Sequence, residues 1–419
     1  MSFSSMGLSA DLVTVLSELG YLVPTAVQVE TIPVILAGYD VMARAQTGTG
    51  KTAAFALPII NQLSTQVSSE KGQINPLDTE IKPVRALILT PTRELALQVH
   101  HSFVKYGKLS SLNSAIVYGG VSIDAQSDIL KAGVDILIAT PGRLLDHLRR
   151  GSLTLKQLAF LVFDEADRML DMGFKEEIDA ILKQVSKQRQ TLLFSATFDD
   201  AVFGLSKALL KEPKLIEVGK RNAAAGKVEQ RVYAVDSQRK IELLCHLLLT
   251  KKWQQVLIFS RKKQGADKIA LALINAGIKA LAFHGDLSQG AREKVLQQFK
   301  LGEVQVLVAT DVAARGLDVE SLAVVVNYEL PFIAEDYVHR IGRTGRAGNS
   351  GIAITLYSEE DALLLEEVEA VLDTRLPQQW LAGFEPDLTK SSPDLRKNSK
   401  SAQKQRARRR AAGGRSRQR

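Results

Sequence analysis

The stretch Phe160–Asp167 reads FLVFDEAD, four apolar residues followed by three acids in four positions. The apolar run is unbroken rather than alternating, which predicts a strand buried on both faces, as in a parallel sheet covered by helices. The acids then fall at its carboxyl end. In open parallel sheets, ligands collect at that edge. An acidic strand end standing alone more often caps a helix than binds a metal, so FLVFDEAD predicts a fold and leaves its chemistry to be decided by a partner.

The same grammar extends in both directions. Strands are predicted at DVMARA, VRALILT, SAIVYGG, VDILIAT, LVFDEAD, TLLFSAT and KLIEV in the first half, with helical stretches such as Ala53–Leu63 and Arg93–Tyr106 between them. This βαβ series predicts an α/β fold with right-handed crossovers. The second half repeats the plan with RVYAVD, VLIFS, KALAFHG, VQVLVAT, AVVVNYE and IAITLY. Between the halves, GKRNAAAGK (219–227) is small, polar and aperiodic, and reads as a flexible linker. The expected organisation is one domain over 1–218, the linker, a second domain over 228–379 and a basic tail over 380–419. Residues 64–82 read as a surface loop.

The chain has 419 residues, enough for two full cores, and one cysteine, Cys245, so no internal disulfide or cysteine-rich metal site is expected. No basic-then-apolar leader and no run of 18 apolar residues appears, which predicts a soluble cytoplasmic protein without a membrane partner. The formal net charge is +8, yet Ser391 to Arg419 alone holds eleven Lys or Arg and one Asp. The body is therefore close to neutral and the tail carries the basic excess. With almost no apolar residues the tail is expected to be disordered. It reads either as an electrostatic tether for polyanions or as a solubilising segment.

The partner for the acids is ARAQTGTGKT (43–52), a glycine-containing turn between a strand and a helix. Small residues let backbone N–H groups wrap a phosphate at the positive end of the helix. Gln46, Thr47, Gly48, Thr49 and Gly50 would form the cradle, Lys51 would reach the β- and γ-phosphates, and the Thr52 hydroxyl would bind Mg²⁺. Ala45 stands where the strict pattern has its first glycine. A triphosphate loop needs a metal, and Asp164 is placed to hold it directly or through water. Glu165 would orient and deprotonate the attacking water. Asp167 is too far along for either task and needs a different partner.

DEAD at 164–167, with AQTGTGKT upstream and SAT at 195–197, resembles the DEAD-box ATP-dependent RNA helicases. PTREL (91–95), the glycine pair 119–120, TPGR (140–143), ATDVAARGLD (309–318) and HRIGRTGR (339–346) follow in the family's order over about residues 3 to 357. The wording is most similar to the bacterial RhlE-type branch. The resemblance implies two tandem RecA-like domains, ATP and Mg²⁺ as cofactors, and RNA-stimulated ATP hydrolysis. GYLVPTAVQ (20–28) resembles the family's adenine-reading Q motif, with Ala26 and Val27 where proline and isoleucine are usual. This implies adenine contacts from Gln28, support from Tyr21 and Thr25, and ring stacking by Phe3.

In the second half, the resemblance gives Arg343 and Arg346 the γ-phosphate and Asp318 the ribose hydroxyls. It has Asp167, Ser195, Thr197 and His339 couple the ATP site to the rest of the protein. RNA contacts are implied for Pro91, Thr92, Arg93, Gly119, Gly120, Thr140, Arg143, Gln289, Arg292 and Thr310. These hydroxyls, glycines and arginines suit phosphates and 2′-hydroxyls rather than base edges, so RNA binding is expected to be largely sequence-independent. A monomer is expected, with ribosomal precursors or RNA-degradation machinery as candidate partners. Two alternatives stay open: a DNA-directed helicase or translocase of the same superfamily, and an ATP-binding RNA clamp that barely cycles.

Overall fold

Alternate residues of β5 (Phe160–Asp164) feed two different cores. Phe160 and Val162 pack into one apolar cluster, Leu161 and Phe163 into another, and all four are at most 3% exposed. This is what an unbroken apolar run produces when side chains alternate across a sheet covered on both faces. The computed structural model describes residues 2–45, 49–70, 83–218, 228–314, 317, 319, 322–345 and 351–387.

The chain divides into two units, Met1–Gly219 and Lys220–Arg419. The first holds β1 (Val41–Arg44), β2 (Ala86–Leu89), β3 (Ser114–Val117), β4 (Ile136–Ala139), β5, β6 (Gln190–Ser195) and β7 (Lys214–Glu217). They form one parallel sheet in the order β3-β4-β2-β5-β6-β1-β7. The second unit holds β8 (Val228–Ala234), β9 (Val256–Ser260), β10 (Ala280–Phe283), β11 (Val306–Thr310), β12 (Val324–Asn327), β13 (Gly351–Tyr357) and β14 (Gln378–Gln379). Its order, β10-β11-β9-β12-β13-β8-β14, is that of the first unit with every strand advanced by seven. The expected repeat of plan is thus a repeat of topology, and both sheets have the tandem RecA-like arrangement.

Parallel strands put all their carboxyl ends on one edge. In the first unit the order gathers the ends of β5, β6 and β1 on one side and those of β3, β4 and β2 on the other. The two groups meet where Leu89 of β2 pairs with Phe163 of β5.

Two boundaries differ from expectation. The helix Lys51–Glu70 continues through 64–70, where a loop was predicted, and 71–82 lie outside the described residues. The expected tail also starts too early at 380. Leu381 and Phe384 pack against the second unit's core, the ring of Phe384 lies 5.2 Å from that of His246, and Arg239 donates to the Gly383 carbonyl at 2.6 Å. A few apolar residues in a polar stretch suffice to hold 380–387 down. The linker 219–227 and residues 388–419 lie outside the described residues. Cys245 is a half-buried free thiol. Among the described residues, no helix is long and apolar enough to cross a membrane.

Candidate functional site

The turn after β1 ends on Gly50, whose φ of +89° is open to glycine and strained for other residues. A Cβ there would also stand 2.4 Å from Gln28 Nε2. The close approach has a purpose: Gln28 Nε2 donates to the Gly50 carbonyl at 3.1 Å, while Gln28 Oε1 accepts from the Thr25 N–H at 2.9 Å. Gln28 thus ties the start of the helix Ala26–Leu36 to the turn. An amide has two N–H donors and two oxygen lone pairs, so one of each is left, the complement an adenine edge requires. Of the cradle predicted from sequence, Gln46, Thr47 and Gly48 lie outside the described residues, Thr49 and Gly50 form the bend, and Thr52 is half-buried.

Lys51 opens the helix Lys51–Glu70 and is 7% exposed. Its Nζ lies 4.0 Å from Oδ1 of Asp164, itself 2% exposed at the end of β5. Neither atom has a hydrogen-bond partner among the described residues. Burial pushes the Asp164 carboxyl up to about 6; Lys51 opposes this, and Glu165 and Asp167 reinforce it. A buried cation and anion, each short of a partner, fit a ligand that carries phosphate on one side and a metal ion on the other. Among the described residues no three His, Cys, Asp or Glu side chains converge as a metal site. Asp164 places one carboxylate at the strand end, and Mg²⁺ is usually held by one or two carboxylates plus substrate phosphates and water.

Glu165 follows in the left-handed region, φ 57° and ψ 55°, a conformation costing a non-glycine residue roughly 1–2 kcal/mol. Its carbonyl accepts from the Arg168 and Met169 N–H groups, so the strand passes straight into the helix Ala166–Asp171. Strain of this kind gathers at functional sites.

Asp167 has the different partner that its position called for. Its Oδ2 accepts from the N–H groups of Ala196 and Thr197 at 3.2 and 3.1 Å and from the Thr197 hydroxyl at 3.2 Å. The carboxylate therefore clasps the turn after β6. Ser195 is fully buried, and its hydroxyl has no hydrogen-bond partner among the described residues.

The other group of strand ends carries the residues assigned to RNA. After β2, Thr92 caps the helix Arg93–Tyr106 by accepting from the Leu95 N–H at 3.3 Å, beside buried Pro91. The Arg93 guanidinium covers the glycine pair after β3: a Cβ on Gly120 would stand 2.3 Å from Nη1, and on Gly119 3.9 Å from Nη2. After β4, Thr140 precedes the helix Pro141–Arg149, and Arg143 donates to Gln126 Oε1 at 2.9 Å and to the Val121 carbonyl at 3.0 Å.

Phe3 is 5% exposed, packed in the first unit's core from the turn Phe3–Met6. Little of its ring is open to a base. Tyr21 is 42% exposed and meets Tyr106 edge-on at 6.1 Å.

In the second unit Arg343 is 7% exposed and donates to the Leu317 carbonyl at 3.0 Å. His339 is half-buried on the helix Ala334–Ile341. Gln289 donates to Glu293 at 3.0 Å, Arg292 lies 5.1 Å from the Phe283 ring centre, and Thr310 is buried at the end of β11. Asp318 and Arg346 lie outside the described residues. Sequence reasoning passed over Arg340. It is 2% exposed, forks onto Asp311 at 2.5 and 2.8 Å, and donates from Nη1 to Asn327 and to the Glu329 carbonyl. It fixes the helix that carries His339 to the ends of β11 and β12. The arginine stood within HRIGRTGR, but its three partners are spread over 311–329 and only folding reveals them.

Matches to known proteins cover both units. Residues 25–203 match the DEAD/DEAH box helicase family and residues 239–348 the helicase conserved C-terminal domain. The chain is 40% identical over 368 residues to the DEAD-box ATP-dependent RNA helicase CshA of Geobacillus kaustophilus, covering 88% of this chain and 76% of that protein. It is 42% identical over 382 residues to the ATP-dependent RNA helicase RhlB of Xanthomonas campestris pv. campestris, covering 90% of this chain and 65% of that one. Among solved structures, S. cerevisiae Dbp5 bound to RNA and ADP BeF3 is similar with a TM-score of 0.75 at 27% identity, over 96% of this chain and 99% of the other.

Proposed function

This chain belongs to the DEAD-box family of ATP-dependent RNA helicases, and from that premise we propose that it couples ATP hydrolysis to local opening of short RNA duplexes or to remodelling of ribonucleoprotein. The observation that carries the reading is the buried Lys51–Asp164 pair, 4.0 Å apart and short of partners, beside the Gly50 turn. Lys51 binds the β- and γ-phosphates. Asp164 and Thr52 would hold Mg²⁺, which neutralises phosphate charge when bound. Glu165 orients the attacking water and accepts its proton. Gln28 reads the adenine, and Arg343 and Arg346 stabilise charge on the γ-phosphate; an arginine in that role is worth roughly 10³-fold or more in turnover.

Nucleotide and RNA each favour the state that binds the other, so either raises the other's affinity. RNA is held through its backbone by the loops that end β2, β3 and β4. Work on ribosomal precursors or in RNA degradation, monomeric function, a cytoplasmic location and the RhlE-type assignment belong to the same proposal. The deciding experiment is ATP turnover by the purified chain with RNA, single-stranded DNA or neither. Stimulation by RNA alone supports the reading. Equal stimulation by DNA favours a DNA-directed motor, and one slow turnover with long RNA dwell favours a clamp.

A further inference from the structure

Gln126, on the helix Ile123–Lys131, is 6% exposed and has no part in the motifs above. Its side-chain amide nonetheless joins three of the first unit's segments. Nε2 donates to the Tyr118 carbonyl at 3.1 Å, immediately before the glycine pair. Oε1 receives Arg143 Nη1 at 2.9 Å and lies 3.2 Å from His147 Nε2.

The orientation of the amide follows from its partners. A guanidinium has only donors and a carbonyl only an acceptor. Turning the amide over would set NH₂ against Arg143 and oxygen against the Tyr118 carbonyl. With Oε1 fixed as an acceptor, His147 Nε2 must carry a proton. His147 is fully buried, and burial, with Arg143 and then Arg150 nearby, lowers its pKa below the usual imidazole value. The shift favours the neutral ring, against the opposing pull of Asp146, and Nδ1 faces the Ser127 hydroxyl at 3.4 Å.

We propose that Gln126 is a positioning residue for RNA engagement, its amide holding Arg143 and the Gly119–Gly120 turn in one fixed arrangement while His147 braces the oxygen from behind. The inference rests on the reading that Arg143 and the glycine pair face RNA. Arg143 keeps a second tie to the Val121 carbonyl, so loss of Gln126 loosens the guanidinium without freeing it. The two ends of the amide do different work. A glutamate at 126 keeps an acceptor for Arg143 and His147 but sets a carboxylate against the Tyr118 carbonyl. A leucine removes both connections.

The test is RNA-stimulated ATP turnover by the full chain carrying Gln126→Leu, Gln126→Glu, Arg143→Ala or the Gln126→Leu/Arg143→Ala pair, with poly(U) as the RNA. Gln126→Leu is expected to raise the RNA concentration for half-maximal turnover about tenfold, a loss of about 1.4 kcal/mol in binding, with kcat changed less than twofold. Gln126→Glu is expected to fall between leucine and parent. In the Arg143→Ala background the leucine penalty should shrink to about threefold, because part of it acts through that arginine. If Arg143→Ala weakens RNA binding and neither Gln126 variant does, the positioning role is refuted while the RNA face stands. Undiminished penalties in the double variant, or an equal fall in kcat, reduce Gln126 to a packing residue and also refute it. If Arg143→Ala leaves RNA binding intact, the reading of that face fails and the proposal falls with it. Should the leucine variant not fold, Gln126→Glu alone and paired with Arg143→Ala serves the same comparison.

Discussion

Lys51 Nζ stands 4.0 Å from Asp164 Oδ1, beyond hydrogen-bond reach, and both atoms are buried without a hydrogen-bond partner among the described residues. An ion pair this deep is a poor source of stability, because desolvation offsets most of the attraction. The geometry is better explained as a preset gap. The lysine extends from the first turn of one helix and the aspartate from a strand end two places across the sheet, with β6 between them. A ligand of mixed charge would satisfy both.

Removing either chemical role should stop the reaction. Lys51→Ala and Glu165→Gln are each expected to lower RNA-stimulated phosphate release at least about 10²-fold, the usual worth of a general base or a phosphate-binding charge. Glu165→Gln protein turning over ATP at the parental rate would take the base assignment away from Glu165.

Asp164 also predicts a pH dependence. Its folded pKa is raised from 3.8 to about 6, chiefly by burial. The folded state then binds the proton more tightly than the unfolded one, so the contribution to stability is present at low pH and lost as pH rises through about 6. Relative to Asp164→Asn, the nucleotide-free parent should gain about 1.4 kcal/mol per pH unit between about pH 6 and 4, with no change in the difference above pH 7. Denaturant unfolding of the first unit across pH 4 to 8 measures it. A difference that stays flat through that range would show that Asp164 titrates normally.

Asp167 supports the turn after β6 through three hydrogen bonds to Ala196 and Thr197. Asp167→Ala leaves two backbone N–H groups and a hydroxyl without their acceptor, at a cost of roughly 1–3 kcal/mol. Asp167→Asn keeps one acceptor oxygen and should recover part of the loss. Equal denaturation midpoints for parent and alanine variant would mean that water replaces the carboxylate at no cost.

Three truncations separate packing from charge at the C-terminus. Ending the chain at Asp387 should leave the second unit's Tm unchanged. Ending it at Gln379 removes Phe384 from His246 and from Arg239, whose guanidinium lies 5.2 Å from the ring centre, and should cost roughly 2 kcal/mol. Deleting 391–419 is expected instead to weaken RNA affinity and flatten its salt dependence, since eleven cations leave with it. An unaltered salt slope removes the tail from RNA binding.

The strands were legible because runs such as VLIFS and ALIL must be buried on both faces, and apolar content reports burial directly. The helix end STQVSSE was misread because a run of polar residues carries no apolar period. Two-residue β14 is too short to leave any pattern. The places of Asp164 at a strand end and of Lys51 at the helix start beyond β1 were legible because their neighbours in sequence set them in the sheet. Gln126 and Arg340 were not, since a glutamine on a helix or an arginine in a basic run acquires its meaning from partners 8 to 29 positions away.

The strand order of the first unit has an engineering corollary. Because the ends of β5, β6 and β1 lie together and those of β3, β4 and β2 lie together, each half of the sheet edge is a natural unit for loop exchange. On the proposed reading, loops grafted after β3 and β4 would change which polymer the protein grips without touching the turn that holds its fuel.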